Sequence, residues 1–249
     1  MTVSQAASPQ PTPAWTASAN GRVAFARGLM VMCSTPGAVL FLSALGFGSL
    51  VRDAGLTLNH ALFLSSAMYA LPAQVMLVDQ LQRGTPLLAI ALAVTLTAVR
   101  LLPMTVSLTP YLRGPGGRWW MRLLAVHFIA ITSWVEGSQR LPHIPEALRL
   151  KHFLGIGAGM MAATAGGSAV GFLLAGEMPR AAQAALLFMT PLYFMLSTLG
   201  AANQKRDWVA IVLGGALAPL VYLAWPGADL LLAGLVGGTA AYFVGRVRS

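Results

Sequence analysis

The residue with the clearest chemical role is a single arginine inside a long apolar stretch. Arg100 lies near the middle of residues 87–111, LLAIALAVTLTAVRLLPMTVSLTPY. About 20 apolar residues cross the hydrocarbon core of a bilayer, and a central guanidinium costs at least about 2.5–3.5 kcal/mol unless it finds a partner, water or an interior position. A guanidinium pairs well with a carboxylate, which any amino acid supplies. We therefore expect Arg100 to bind the carboxylate of a small solute; the alternative is a structural tie to Asp79, Glu136 or free backbone carbonyls.

Four other polar residues are candidates for the same site. Tyr69 and Gln74 lie in the apolar stretch 60–81, and Thr132 and Ser133 lie in the stretch 121–137. A buried glutamine amide has donors and acceptors that must be satisfied, so Gln74 is either a substrate ligand or a hydrogen bond between helices. His127 is more typical of a satisfied core histidine than of a ligand.

The motifs of common catalytic sites are absent from the sequence. There is no P-loop, HExxH motif, nucleophile elbow or carboxylate pair within an apolar stretch. The one cysteine, Cys33, has no evident activating base and excludes a cysteine metal cluster. We predict no catalytic residue, no metal site and no cofactor, and therefore no enzyme.

The composition is that of a polytopic membrane protein. Of the 249 residues, 57% are hydrophobic and only 9% are charged, whereas soluble domains carry about 25% charged residues. The fold class predicted is all-α, a transmembrane bundle of seven or eight spans. The candidate spans are residues 28–51, 60–81, 87–111, 121–137, 152–176, 181–200, 208–224 and 228–245.

The sequence predicts an N-terminal tail and one transmembrane domain. Residues 1–21, rich in Ser, Ala, Thr, Pro and Gln and without charge, are predicted to be a disordered tail. Residues 22–249 are predicted to be one transmembrane domain, with possible halves 28–137 and 150–245. A weak internal repeat supports the halves, because residues 37–46 resemble residues 167–176.

Proline and glycine interrupt several of these spans. In lipid, a carbonyl freed by a break must be satisfied inside the protein, and transporters place such breaks at their substrate sites. A kinked helix with satisfied neighbours is the alternative. The predicted breaks are Pro36, Gly37, Pro72, Pro103, Gly166, Gly167 and Pro191.

The net charge of +9 is better explained by membrane orientation and anionic lipid than by nucleic acid, because the basic residues lie between apolar runs. With eight spans and a cytoplasmic N-terminus, ten basic residues fall inside and five outside. The arginine-rich loop after the third span opposes this assignment. The inner set is Arg22, Arg27, Arg83, Arg140, Arg149, Lys151, Lys205, Arg206, Arg246 and Arg248, and the outer set is Arg52, Arg113, Arg118, Arg122 and Arg180.

Three stretches resemble the AzlC family, the large subunit of branched-chain amino acid exporters. Residues 69–74, YALPAQ, are similar to its Y-A-G-x-x-Q motif, and residues 97–103, TAVRLLP, are similar to N/D-x-R-H-x-L-Y with the arginine kept. The TPLYF stretch at 190–194 lies where the family has a proline-containing helix. Two departures stand out: Leu101 replaces the family's histidine, and residues 132–134 lack both acids of its T-D-E motif.

The resemblance implies a permease of a bacterial inner membrane. It would move branched-chain or other small amino acids by alternating access, together with a small AzlD-like membrane subunit. A membrane scaffold that does not transport, and a passive channel for small solutes, are the alternatives.

Overall fold

The computed structural model describes residues 20–99, 101–115, 117–201, 205–224 and 229–246. Within these ranges the chain is all-helical, as predicted, and no strand is present. Twelve α-helices are described. They are α1 (Gly21–Leu29), α2 (Thr35–Asp53), α3 (Leu58–Ala67), α4 (Leu71–Gln82), α5 (Leu87–Val99), α6 (Leu101–Leu112), α7 (Trp119–His127), α8 (Ile131–Arg140), α9 (Glu146–Leu174), α10 (Arg180–Ala201), α11 (Lys205–Ala224) and α12 (Asp229–Arg246).

The frame of the molecule is a close parallel pairing of α1 and α2 with the long helix α9. A methyl group added to Gly28 would collide with the His152 carbonyl, and one added to Gly48 would collide with the Ser168 carbonyl. Small residues at such contacts let helix backbones approach closely, as is common in membrane bundles.

The pairing defines two ends of the bundle. At end A, Gly21, Gly114 and Glu146 surround one small cavity. At end B, Arg52 Nη1 donates to the carbonyls of Phe172 and Leu173, both at 3.0 Å. The helices α1 and α2, taken in order, and the helix α9 therefore all run from end A to end B.

Residues 58–82 form a helical hairpin, hairpin 1, that starts and finishes toward end B. Its first arm, α3, follows α2 directly, and its second arm, α4, returns so that Val78 packs in one cluster with Ala61 and Val51. The turn between the arms begins at Met68, whose φ of −113° and ψ of 84° end the helix. With 10 and 12 residues, the arms reach only about 15–18 Å each.

Residues 119–140 form a second helical hairpin, hairpin 2, which starts and finishes toward end A. Along α9, Leu150 lies beside Gly117 at the start of α7, and Gly157 lies beside Phe128 at its finish. The arm α8 then runs back, because Gly137 lies against Phe153. Both arms are short, with 9 and 10 residues.

The prediction of seven or eight spans is not confirmed. By length and hydropathy, two described helices can cross a membrane, Thr35–Asp53 and Glu146–Glu177, or three segments if the bent pair α5 and α6 counts as one. The stretches 60–81 and 121–137, which we expected to cross, instead turn back as the two hairpins. An apolar stretch of the right length can be divided into two short arms when its central backbone groups are satisfied by other segments.

Four of the predicted breaks lie in the first turn of a helix. Pro36 and Gly37 lie in the first turn of α2, after a short 3₁₀ turn, and Pro72 lies in the first turn of α4. Pro103 is the third residue of α6, where it lacks the N–H that would bond the Val99 carbonyl. The axes of α5 and α6 differ by 45°.

The other predicted breaks are wrong. Gly166 and Gly167 lie inside α9, which is continuous from Glu146 to Leu174. A methyl group at Gly167 would collide with the Phe41 carbonyl, so this glycine serves close packing rather than unwinding. Pro191 lies inside α10 without ending it.

The proposed halves and tail are not tested by the fold. Residues 1–19 of the predicted tail lie outside the described residues, and α1 begins at Gly21. The first stretch of the sequence repeat lies on α2, and the second lies on α9 and the start of the 3₁₀ turn Ala175–Glu177. The helices α2 and α9 contact each other and run in the same direction.

Candidate functional site

The tips of the two hairpins contact each other. His127 Nε2, at the finish of α7, donates to the Ser66 carbonyl at 2.9 Å. The rings of Tyr69 and Phe128, one from each tip, meet edge to face with centroids 6.4 Å apart. Two segments that enter from opposite ends are therefore joined at their turns.

At both tips, side chains satisfy the carbonyl groups of the arms that end there. Gln74 Nε2 donates to the Leu64 carbonyl at 3.2 Å and to the Met68 carbonyl. Ser133 Oγ donates to the Phe128 carbonyl at 2.5 Å and accepts from Ala130 N at 2.9 Å. The negative ends of α3 and α7 are thus covered by the protein itself.

The N-terminal ends of the returning arms α4 and α8, in contrast, have no capping side chain. The residues before α4 and α8 are Ala70 and Ala130, and neither helix start has a side-chain cap. Alanine has no oxygen to accept from the first-turn N–H groups, whereas Ser, Thr, Asp or Asn at this position stabilises a helix by about 1 kcal/mol. The first-turn N–H groups of α8 are therefore uncapped at the tip of hairpin 2, and uncapped N–H groups attract anions. At the start of α4 only the Leu71 N–H is open, because Pro72 has no N–H and Ala73 N donates to the Ala70 carbonyl at 2.9 Å.

A cavity of about 370 Å³ lies at this junction. Its wall is mostly apolar, and its polar side chains are Tyr69, Gln74, Thr132 and Thr164. The lining residues are Leu40, Tyr69, Ala70, Leu71, Pro72, Gln74, Leu101, Ala130, Ile131, Thr132, Thr164 and Pro191. A mostly apolar cavity of this size with a few polar groups is typical of a small-molecule site.

Two buried polar atoms at the cavity have no hydrogen-bond partner among the described residues. They are the Tyr69 hydroxyl and Gln74 Oε1, and Gln74 is fully buried while Tyr69 is 8% exposed. An unsatisfied buried polar atom costs about 1–3 kcal/mol. The Thr164 hydroxyl, by contrast, donates to the Met160 carbonyl at 2.9 Å. The cavity thus offers one acceptor and one hydroxyl to a ligand.

The structure brings together three of the five predicted site residues. Tyr69, Gln74 and Thr132 line the cavity. Ser133 is buried beside it, but its hydroxyl bonds the backbone of the hairpin 2 tip. Arg100 lies outside the described residues; its chain neighbour Leu101 lines the cavity.

Sequence reasoning missed two features of the wall. Thr164 lies in a glycine-rich stretch with no motif to mark it. The uncapped amide ends were missed because residues 128–130, Phe-Ile-Ala, contain neither proline nor glycine to signal a turn.

No group of His, Cys, Asp or Glu within the described ranges could hold a metal ion. The prediction that there is no metal or cofactor stays a prediction.

Comparison with known proteins gives one family. The sequence profile described as "AzlC protein" matches residues 37–178, more than half of the chain. The match contains both hairpins and most of the cavity wall. No curated protein and no solved structure matches the chain.

Proposed function

Because the chain belongs to the AzlC family, a family of membrane proteins associated with branched-chain amino acid transport, we propose that it is an amino acid permease whose substrate binds between the two hairpin tips. The observation that carries the proposal is the junction itself. Two short hairpins from opposite ends meet at a cavity with open amide ends and two unpaired polar atoms.

The polar groups of the cavity suit the two charged ends of an amino acid. The N–H groups at the start of α8 and the Leu71 N–H at the start of α4 suit the carboxylate. Gln74 Oε1 is an acceptor and suits the ammonium group, and the Tyr69 hydroxyl can bond either end. Arg100 stays a predicted partner of the carboxylate, and its neighbour Leu101 in the wall supports that role.

The apolar part of the wall suits a branched aliphatic side chain. Leu40, Leu71, Leu101 and Ile131 supply aliphatic contacts. Burying a leucine-sized side chain contributes about 1.5–3 kcal/mol. The preference for branched-chain substrates is part of the proposal.

The hairpins provide a means of alternating access. Hairpin 1 lies between the cavity and end B, and hairpin 2 lies between the cavity and end A. Movement of one hairpin arm would open the cavity to one end while the other hairpin keeps it closed. In this scheme the contact of His127 with Ser66 holds both closed.

The hairpins also change the charge count that sets orientation. Of the described basic residues up to Arg180, eight lie toward end A and three lie toward end B. Arg113, Arg118 and Arg122, which the eight-span prediction assigned to the outer side, lie at end A with the other basic residues. Basic loops stay in the cytoplasm. We therefore place end A and the N-terminus in the cytoplasm, with the chain in a bacterial inner membrane. The end A set is Arg22, Arg27, Arg113, Arg118, Arg122, Arg140, Arg149 and Lys151, and the end B set is Arg52, Arg83 and Arg180.

A small AzlD-like membrane subunit is the partner that the family implies, and it belongs to the proposal. Co-purification with the product of a neighbouring short apolar reading frame would support it. Transport assays are therefore run with and without that subunit.

The test is exchange of labelled L-leucine across liposomes that contain the purified protein. We expect saturable exchange. Tyr69→Phe should lower kcat/KM by about tenfold or more, because one hydrogen bond to a charged ligand contributes about 1.5–3 kcal/mol. Arg100→Gln should abolish exchange.

The matched controls are Tyr242→Phe, on an exposed tyrosine, and Arg113→Gln, on an exposed arginine; both should exchange leucine normally. Flux that neither saturates nor exchanges would indicate a passive channel. No flux with or without the small subunit would favour a scaffold. Normal exchange by Tyr69→Phe and Arg100→Gln would refute the proposed site.

A further inference from the structure

We propose that a cavity at end A binds the phosphate headgroup of an anionic phospholipid, an inference that goes beyond the proposed transport function and does not depend on it. The cavity has a volume of about 250 Å³ and lies between the start of α1, the loop before α7 and the first turns of α9. Its wall contains three glycines, Gly21, Gly114 and Gly117, together with Glu146 and Lys151. It shares no lining residue with the cavity between the hairpin tips.

Lys151 places an ammonium group in the wall of this end A cavity. A methyl group added to Gly21 would collide with Lys151 Nζ, so the ammonium occupies the space that a side chain at residue 21 would need. Lys151 forms no ion pair with a carboxylate of the described residues. The cavity therefore holds a cation whose counterion this part of the chain does not supply.

Arg122 adds a second cation beside the glycines of the wall. Its Nη2 donates to the carbonyls of Arg113 and Gly114, both at 3.4 Å, which is longer than an ordinary N–H···O hydrogen bond. Its Nε is buried without a partner among the described residues, and it would lie 3.5 Å from a methyl group added to Gly117. A guanidinium has five N–H donors and binds phosphate in a bidentate manner. Arg122 therefore has donor capacity left for an anion.

The charges around the end A cavity favour an anion. Between residues 20 and 180, and apart from the Glu136–Arg140 pair, seven arginine and lysine side chains lie at end A against one acid, Glu146. Glu146 is exposed and lies in the first turn of α9, where the helix N-terminus stabilises its charge. A zwitterionic headgroup would bring a cation among these basic side chains, whereas an anionic headgroup brings only negative charge. Basic pockets between membrane helices bind anionic headgroups.

The neighbouring surface places the end A cavity at the depth of lipid headgroups. Trp119 and Trp120 follow the loop directly and are exposed, and tryptophan is enriched at the membrane–water interface. Beyond them, Leu123 and Leu124 on α7 are also exposed, as expected of a surface that contacts acyl chains. A free phosphate ion would use only the cavity, whereas a phospholipid also uses this apolar face. The lipid is therefore the occupant that the surroundings favour.

The experiment measures lipid binding to the full chain in uncharged dodecyl maltoside micelles by native mass spectrometry. Phosphatidylglycerol, the anionic probe, should bind as one retained copy and about fivefold or more tightly than phosphatidylcholine. The double variant Lys151→Gln with Arg122→Gln should lose about tenfold or more of this affinity, because two charged hydrogen-bond donors are removed. The matched control, Arg83→Gln with Arg180→Gln, removes the same charge from exposed residues of end B and should bind phosphatidylglycerol normally.

A variant with the opposite expected effect separates lipid binding from a loss of structure. Glu146→Gln removes the acid from the wall and should raise the affinity for phosphatidylglycerol by about fivefold, which a misfolded protein would not do. Phosphatidylglycerol should also raise the unfolding temperature of wild type, because a ligand that binds the folded state stabilises it. It should leave the unfolding temperature of the Lys151→Gln and Arg122→Gln double variant unchanged.

Four results would overturn the proposal. Equal binding of phosphatidylcholine and phosphatidylglycerol would show no preference for an anion, and an equal loss in the end B control would show only general attraction between charges. Tighter binding of phosphatidylethanolamine that Glu146→Gln abolishes would assign the cavity to an amine-bearing headgroup. Displacement of phosphatidylglycerol by an equal concentration of inorganic phosphate would assign it to a free anion. None of these measurements involves leucine, so failure of the proposed transport function would leave this inference standing.

Discussion

The two hairpins are built on one plan but differ in how their tips and arms are satisfied. Each has two short arms, an alanine before its returning arm and one acid–arginine pair four residues apart on that arm. In hairpin 1, Gln74 reaches back to two carbonyls of the first arm and leaves its own oxygen unpaired. In hairpin 2, the hydroxyl of Ser133 closes the turn locally, and the acid of the pair is buried.

Hairpin 1 therefore brings unpaired side-chain atoms to the cavity, as a binding element would. Hairpin 2 has a tip whose hydroxyl is used within the turn, and its returning arm carries a buried acid paired with an arginine on the same helix. The following substitutions test this division.

The largest difference in stability is expected between substitutions of Arg140 and Arg83, the arginines of the two acid–arginine pairs. Arg140→Leu should lower the free energy of unfolding by about 3 kcal/mol, because it leaves a buried carboxylate without its cation. Arg83→Leu should have no measurable effect, since Arg83 is an exposed side chain paired with a half-exposed carboxylate. Reversible unfolding in mixed micelles measures both.

The double variant Glu136→Gln with Arg140→Leu is the control for that experiment. It should regain most of the stability that Arg140→Leu loses, because no charge is then left buried. Equal losses for Arg140→Leu and Arg83→Leu would remove the distinction between the hairpins.

A smaller difference is expected at the tips. Gln74→Ala removes the side-chain hydrogen bonds to the Leu64 and Met68 carbonyls, which keep one backbone bond each, and opens a space. It should cost about 2–4 kcal/mol of stability. Ser133→Ala should cost about 1–2 kcal/mol, with an unchanged KM for leucine in the folded protein. Gln183→Ala, at another buried glutamine, controls for the loss of an amide away from the cavity. A raised KM in Ser133→Ala would place that residue in the binding site.

The smallest effect tests the amide ends of the returning arms. Ala130→Ser should raise stability by about 1 kcal/mol by capping open N–H groups, and should weaken leucine binding because the same groups then have a partner. Ala70→Ser should change neither, because Pro72 has no N–H and Ala73 N already donates to the Ala70 carbonyl. Arg118→Ser, at the uncapped start of α7 away from the cavity, should stabilise without changing the KM. An unchanged KM in Ala130→Ser would contradict anion binding by the amide end of α8.

Much of the local structure could be predicted from the residues. Pro36 and Pro72, predicted as breaks within two spans, lie in the first turns of α2 and α4, where proline is favoured. Tyr69, Gln74 and Thr132 were recognised as site candidates because polar groups are costly in an apolar stretch. The turn at 128–130 could not be predicted, since Phe-Ile-Ala is compatible with a continuous helix.

By composition alone, this sequence specified a helical membrane protein, since so few charged residues leave little that a soluble surface could use. Only the tertiary structure decided that residues 60–81 and 121–137 turn back instead of crossing. The physical reason is that a helix can stop in an apolar interior only if other groups bond its last carbonyls. Here those groups are Gln74, His127 and Ser133, and the contact of His127 with Ser66 joins segments far apart in the chain.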